Sequence, residues 1–177
     1  MTKITQNIFA DALANEARKL SQTNKLRASK LALLARSERV AAFMKASNVS
    51  VAIVSDLYLT EKVLKAADAL TLETATSADF NANTFCAFKT VLLNEERATF
   101  ECDLLKAAIS NNFKTSDATK DFMYRRAVLI SATRQEQLNV KLCEVLNIVT
   151  RVSKTQVKIN ADSHALQAMR KMSEMSL

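Results

Sequence analysis

The chain has no glycine and no proline among its 177 residues, where ordinary usage would supply roughly 7% and 5%, so about twenty such residues are missing. Glycine provides the positive-φ positions of tight hairpin turns, and proline the fixed φ that starts many others. A meander or Greek key lacking both meets strain at almost every corner. Helices lose least, because both residues weaken helix interiors and Asn, Ser, Thr and Asp can take over at helix boundaries. The expectation is an all-α protein, a helical bundle of about five to seven helices.

The same absence removes classes of chemistry. Phosphate-binding loops, dinucleotide fingerprints, nucleophile elbows and kinase-type Gly-rich loops all need backbone to approach a ligand closely or to turn sharply at a glycine. The single histidine, His164, follows Asp162 and Ser163, but neighbours in sequence do not make triad geometry and no oxyanion-hole loop accompanies them. Cys86, Cys102 and Cys143 are odd in number, widely spaced and set in apolar patterns, which reads as small buried hydrophobes in a reducing compartment. No pair of Cys or His stands at zinc-ligand spacing. Glu96 and Asp103, seven apart, are read as a solvated acidic helix face and not as a cation site. No catalytic residue, metal, cofactor or small-molecule substrate is therefore expected. No run of eighteen apolar residues occurs, and Met1 to Phe9 has no leader-like apolar stretch, so the expected location is the cytoplasm, without membrane partners.

The stretch Thr115 to Asn160 organises the rest. Leu138, Leu142, Val145, Val149, Val152, Gln156 and Ile159 recur at alternating spacings of four and three, the stripe of one continuous helix. This predicts a long penultimate helix over about 116–158 with a heptad-like seam, opened by Ser116 and Asp117. The seam requires a partner, either another helix of the chain or a second copy. Leu146 and Ile148 widen it beyond a two-stranded seam, and Gln156 would fix register at some cost in stability. After it, Ala161 to Ser163 should cap a short terminal helix burying Ala165, Leu166, Met169 and Met172.

Charge is unevenly placed. The net charge is +7, divided into nine cations against three anions over 1–47, six against ten over 48–117, and ten against five over 118–177. Basic ends flank an acidic middle. Such ends can hold a polyanion or dock on acidic middles in an assembly. Between Arg18 and Lys45 there are eight cations and one anion, Glu38. Arg18, Lys19, Lys25, Arg27, Arg36, Arg39 and Lys45 are the candidate nucleic-acid contacts. Arg27 and Lys45 fall on one flank of the apolar stripe of a helix expected over about 24–46, and Lys25, Arg36 and Arg39 on the other, as cations on a core-facing helix also do. That stripe comprises Leu26, Leu33, Leu34, Val40, Ala41 and Met44.

Residues 39–59 resemble the spacing of a helix-turn-helix corner, with Asn48 at the place of the usual glycine. The exposed positions of its second helix, Ser50, Val51, Ala52, Ser55 and Asp56, offer no side chain suited to a base edge. Elsewhere the pattern predicts a first helix from about Thr5 to Leu20, capped by Thr5 or Asn7, and a helix over 61–72 capped by Thr60. A loop is expected over 71–83, with Ser77 opening a short turn, and a helix over about 84–110 burying Phe85, Phe88, Leu92, Phe100, Leu104 and Ala107. The domain reading is a basic helical region, 1–72, and a helical bundle, 73–177, or one domain throughout.

The function expected from all this is non-enzymatic. The chain self-associates or binds a protein partner through the seam in an assembly, scaffolding or adaptor role. The alternative is a DNA-binding regulator or packaging-type protein that uses region 18–45 and the corner over 39–59.

Overall fold

The computed structural model describes residues 7–72, 74–110, 121–124 and 133–172. The chain is mostly helical, as expected, with eight α-helices among these residues. It also holds a small antiparallel sheet of three strands in the order β1-β3-β2, which the sequence reading did not foresee.

The first helix, α1 (Ile8–Ala17), starts at Asn7, whose Oδ1 accepts from the Ala10 amide at 3.1 Å. The Asn7 side-chain amide donates to the Ala35 carbonyl at 2.5 Å. That bond ties the start of α1 to the end of α2 (Gln22–Ala35), so the two form an antiparallel pair. The helix expected over 24–46 is two helices, broken at Arg36–Ser37, with α3 (Glu38–Ala46) following. The break changes which side faces inward. α2 buries Leu31 with Ala28, Ala32 and Ala35, the three alanines allowing close approach of α1, while Leu26 and Leu33 are 59% and 66% exposed.

Asn48 ends α3 at φ +53. The Val49 amide reaches back to the Met44 carbonyl and the Asn48 amide to that of Lys45, both at 3.0 Å, a Schellman cap in which asparagine takes the usual place of glycine. A 3-10 turn (Val51–Ser55) follows, capped by Ser50, and then α4 (Leu57–Leu70). The helix-turn-helix corner is therefore not formed, since the segment after the turn is one short 3-10 turn ended by Asp56. It is Asp56, not Thr60, that caps α4, accepting from the amides of Tyr58 and Leu59. Thr60 is buried and donates to the carbonyls of Ile53 and Asp56. α4 is the central helix, packed against α2, α3, α7 and α8.

The loop over 71–83 holds a 3-10 turn (Ser77–Asp79) fixed by a capping box between Thr76 and Asp79, and α5 (Ala82–Leu92) follows. The helix expected over 84–110 stops there. The residues it was to bury are all buried, but on three elements: α5, β1 (Phe100–Glu101) and α6 (Asp103–Ala107). Glu96, in the turn after α5, and Asp103, at the start of α6, consequently share no helix.

The long penultimate helix is the largest correction. Its expected first part, 116–132, lies outside the described residues except for 121–124. Its second part is α7 (Thr133–Val145), then β2 (Val149–Arg151) and β3 (Gln156–Ile159). Asn147 stops the helix at φ +56, and the Ile148 amide bonds the Cys143 carbonyl at 2.9 Å, a second asparagine Schellman cap. Ile148, Val149 and Thr150 are then a β-branched run suited to a strand. The hairpin turns without glycine because the Ser153 hydroxyl accepts from the amides of Thr155 and Gln156 at 3.2 and 3.1 Å, the local side-chain bond that lets serine make turns. Ser163 caps the terminal helix α8 (His164–Lys171), and Ala165, Leu166, Met169 and Met172 are buried as expected. One cluster of buried side chains runs from Phe9 to Met172.

Candidate nucleic-acid interface

The seam residues fall on different structures. Leu138 and Leu142 on α7 and Val149 on β2 are buried core, and Val145 and Ile159 pack half-buried against it. Val152 is 51% exposed at the hairpin turn, and Gln156 is exposed on β3. The spacing of four and three is kept in sequence, but a stripe exists only while the chain remains helical, and it leaves the helix after Val145.

The candidate cations divide as well. Arg27 donates to Glu61 with Nε at 2.7 Å, and its guanidinium carbon lies 3.8 Å from the centroid of the Tyr58 ring. Arg39 pairs with Asp68 at 2.7 Å and Lys19 with Glu16 at 3.3 Å. Glu61 and Asp68 both lie on α4, so the acidic middle of the chain is partly neutralised by the basic N-terminal region inside one fold. Arg18, Lys25, Arg36 and Lys45 are exposed and have no ion-pair partner among the described residues. They are spread along the chain, Arg18 and Arg36 just past the ends of α1 and α2, Lys25 on α2 and Lys45 on α3.

At the other basic end a helix and a hairpin each expose cations. α7 is covered by α4, α5 and α6 and followed by the sheet, which leaves a narrow outward stripe of Arg134, Gln137 and Lys141, spaced three and four apart on one face. The hairpin then adds Lys154 in its turn and Lys158 on its outward face, where Thr150 is its cross-strand partner. Lys141, Lys154 and Lys158 make no ion pair among the described residues. Arg134 is held loosely, 3.7 Å from Asp56 and 4.0 Å from the centroid of the Tyr58 ring. With Arg27 equally near the same centroid, the two guanidinium groups must occupy opposite faces of the ring. Glu101 on β1 and Asp162 after β3 are the exposed carboxylates beside the hairpin.

The hairpin is fastened to the helix. Arg151 donates to Glu144 of α7 at 2.8 Å and to the Lys154 carbonyl in the turn at 2.9 Å. The Asn160 side-chain amide donates to both the carbonyl and the Oδ1 of Asn147, each at 2.9 Å, and the Cys102 amide bonds the Thr155 carbonyl at 2.8 Å. Helix and ribbon thus keep one relative orientation, so their cations are pre-placed. Sequence reading missed this site because it assigned the hairpin to a helix. The available signal was Asn147, two residues past the end of α7 and directly before the β-branched run Ile148 to Thr150.

Among the described residues no group of His, Cys, Asp and Glu could hold a metal ion, and no helix is long and apolar enough to cross a membrane. His164 is exposed and packs its ring 5.0 Å from that of Phe43. No family model, curated protein or solved structure matches the chain.

Proposed function

We propose that the chain is a non-enzymatic nucleic-acid-binding protein whose contact surface is the outward stripe of α7 together with the β2–β3 hairpin. The observation that carries this reading is the set of exposed lysines without an ion pair among the described residues, Lys141 on the helix and Lys154 and Lys158 on the ribbon, the two elements locked together by Arg151. Groups of this kind neutralise phosphates, and phosphate contacts supply most of the affinity and little of the specificity. Gln137 is the one neutral side chain of the stripe able to pair with a base edge, so the expected binding is largely independent of sequence. The loose ends Arg18, Lys25, Arg36 and Lys45 add long-range attraction. The test is fluorescence anisotropy with a short DNA duplex across a salt series. Binding that weakens steeply with salt, with a shallower slope in Lys154→Glu/Lys158→Glu, supports the reading. A slope unchanged by that pair removes the hairpin from it.

A protein partner is the second reading, moved from the seam to α2. Leu26 and Leu33, seven apart on one face, are exposed among Lys25, Lys30 and Arg36, a surface suited to an acidic partner with an apolar groove. Light scattering coupled to size exclusion tests the homotypic case. A salt-sensitive oligomer lost in Leu26→Ser/Leu33→Ser supports it, and a monomer at all salts excludes self-association through this face.

A further inference from the structure

A cleft of about 350 Å³ opens between α2, α4, α5 and α7. Its walls are apolar at Ala66, Ala69, Leu72, Phe80 and Leu138 and polar at Lys62, Asn81, Thr84 and Gln135, the mixture typical of sites for small ligands. The charges along its rim are nearly all satisfied within the protein. Glu61 is shared by Arg27 and Lys65, Asp68 is held by Arg39, and Asp79 closes the capping box with Thr76. Lys62 is the exception. Its ammonium is largely buried and donates to the Oδ1 of Asn139, a neutral amide, and no carboxylate pairs with it among the described residues. Asn139 is itself fully buried, and its Nδ2 donates to the Asn83 carbonyl at 3.2 Å, so the acceptor is held in place from α5. The nearest thiol, Cys143, is no counter-charge, since burial pushes it up to about 12 and keeps it protonated.

A buried cation without an anion is costly, and a ligand that supplies the anion recovers that cost. We infer that this cleft binds a small organic anion, its carboxylate or phosphate against Lys62 and its apolar body against Leu72, Phe80 and Leu138. Burial lowers the Lys62 ammonium to about 8. An anion beside it would raise that value, because an opposite charge favours the protonated form. Binding should correspondingly fade as the pH rises through about 8, where the free amine loses the charge that holds the ligand.

The site is tested with benzoate and phenyl phosphate as probes and benzyl alcohol as the uncharged control. The readouts are calorimetry and NMR of the full chain labelled at lysine Nζ. Saturable binding of at least one anion, absent for benzyl alcohol, with the Lys62 titration moved upward, is the expected result. Lys62→Met should weaken the anion by about tenfold, and Gln135→Trp should obstruct the cleft while leaving Lys62 in place. No saturable binding of either anion, equal binding of benzyl alcohol, or unchanged affinity in Lys62→Met would overturn the assignment. Should Lys62→Met fail to fold, unchanged anion affinity in Gln135→Trp overturns it alone.

Discussion

The two basic ends of this chain are alike in sequence and differ in the fold. At the N-terminal end Arg27 and Arg39, among the cations best suited to a phosphate, are paired with Glu61 and Asp68 on α4, and the other cations from Arg18 to Lys45 are dispersed along α2, α3 and the turns after α1 and α2. At the C-terminal end Arg151 uses its pair with Glu144 to fix the hairpin and Arg170 is held by Glu95, while Lys141, Lys154 and Lys158 make no ion pair among the described residues. Net charge measured along a chain is therefore not the charge a partner meets. What counts is which cations the fold has already paired, since an exposed ion pair presents little field beyond about a Debye length.

The comparison can be broken most sharply at the former seam. Val149→Asp, which places a carboxylate in the core beneath the hairpin, should destabilise the fold by about 4 kcal/mol in urea unfolding. A folded variant that merely loses an oligomer would restore the seam as an interface and undo the contrast. Next in size is the charge reversal Lys154→Glu/Lys158→Glu. It should reduce duplex affinity at low salt by about tenfold or more and lower the salt slope by about 2, while the pair Lys25→Glu/Arg36→Glu changes the slope by less. Equal effects would mean that both ends serve alike.

Glu144→Ala sharpens the role of the fastening. It removes no cation, so a purely electrostatic surface would bind more tightly, whereas a surface that depends on a fixed hairpin should bind about threefold more weakly. The stability cost of this half-exposed pair should be about 0.5–1 kcal/mol. The smallest effect is expected of Asp68→Asn, which releases Arg39. Stability should shift by about 0.5 kcal/mol or less, and duplex affinity should stay within about twofold of the parent. A large gain in affinity would show that the N-terminal arginines are held in reserve by α4.

Much of the core was legible. Phe85, Phe88, Leu92, Phe100, Leu104, Ala165, Leu166, Met169 and Met172 are buried as their pattern implies, because burial follows apolar character whichever element carries it. The candidate site was less legible. Arg134, Gln137 and Lys141 sit on α7, a part of the span the pattern assigned to one longer helix, and nothing local separates their solvent-facing stripe from the faces covered by α4, α5 and α6. Lys62 and Asn139 are 77 positions apart and meet only through packing.

By itself the sequence determined that helices dominate, that Asn48 would end one, and that Ser163 would begin another, since these depend on propensities and caps acting over a few residues. It did not determine where Leu138 to Ile159 leaves the helix. Spacings of four and three suit a helical seam, while Ile148 to Thr150 suits a strand, and the two preferences compete. The tertiary structure decided between them. Phe100 and Val157 pair across β1 and β3, and Arg151 and Asn160 bind the hairpin back to α7, bonds to residues distant along the chain that no local pattern contains.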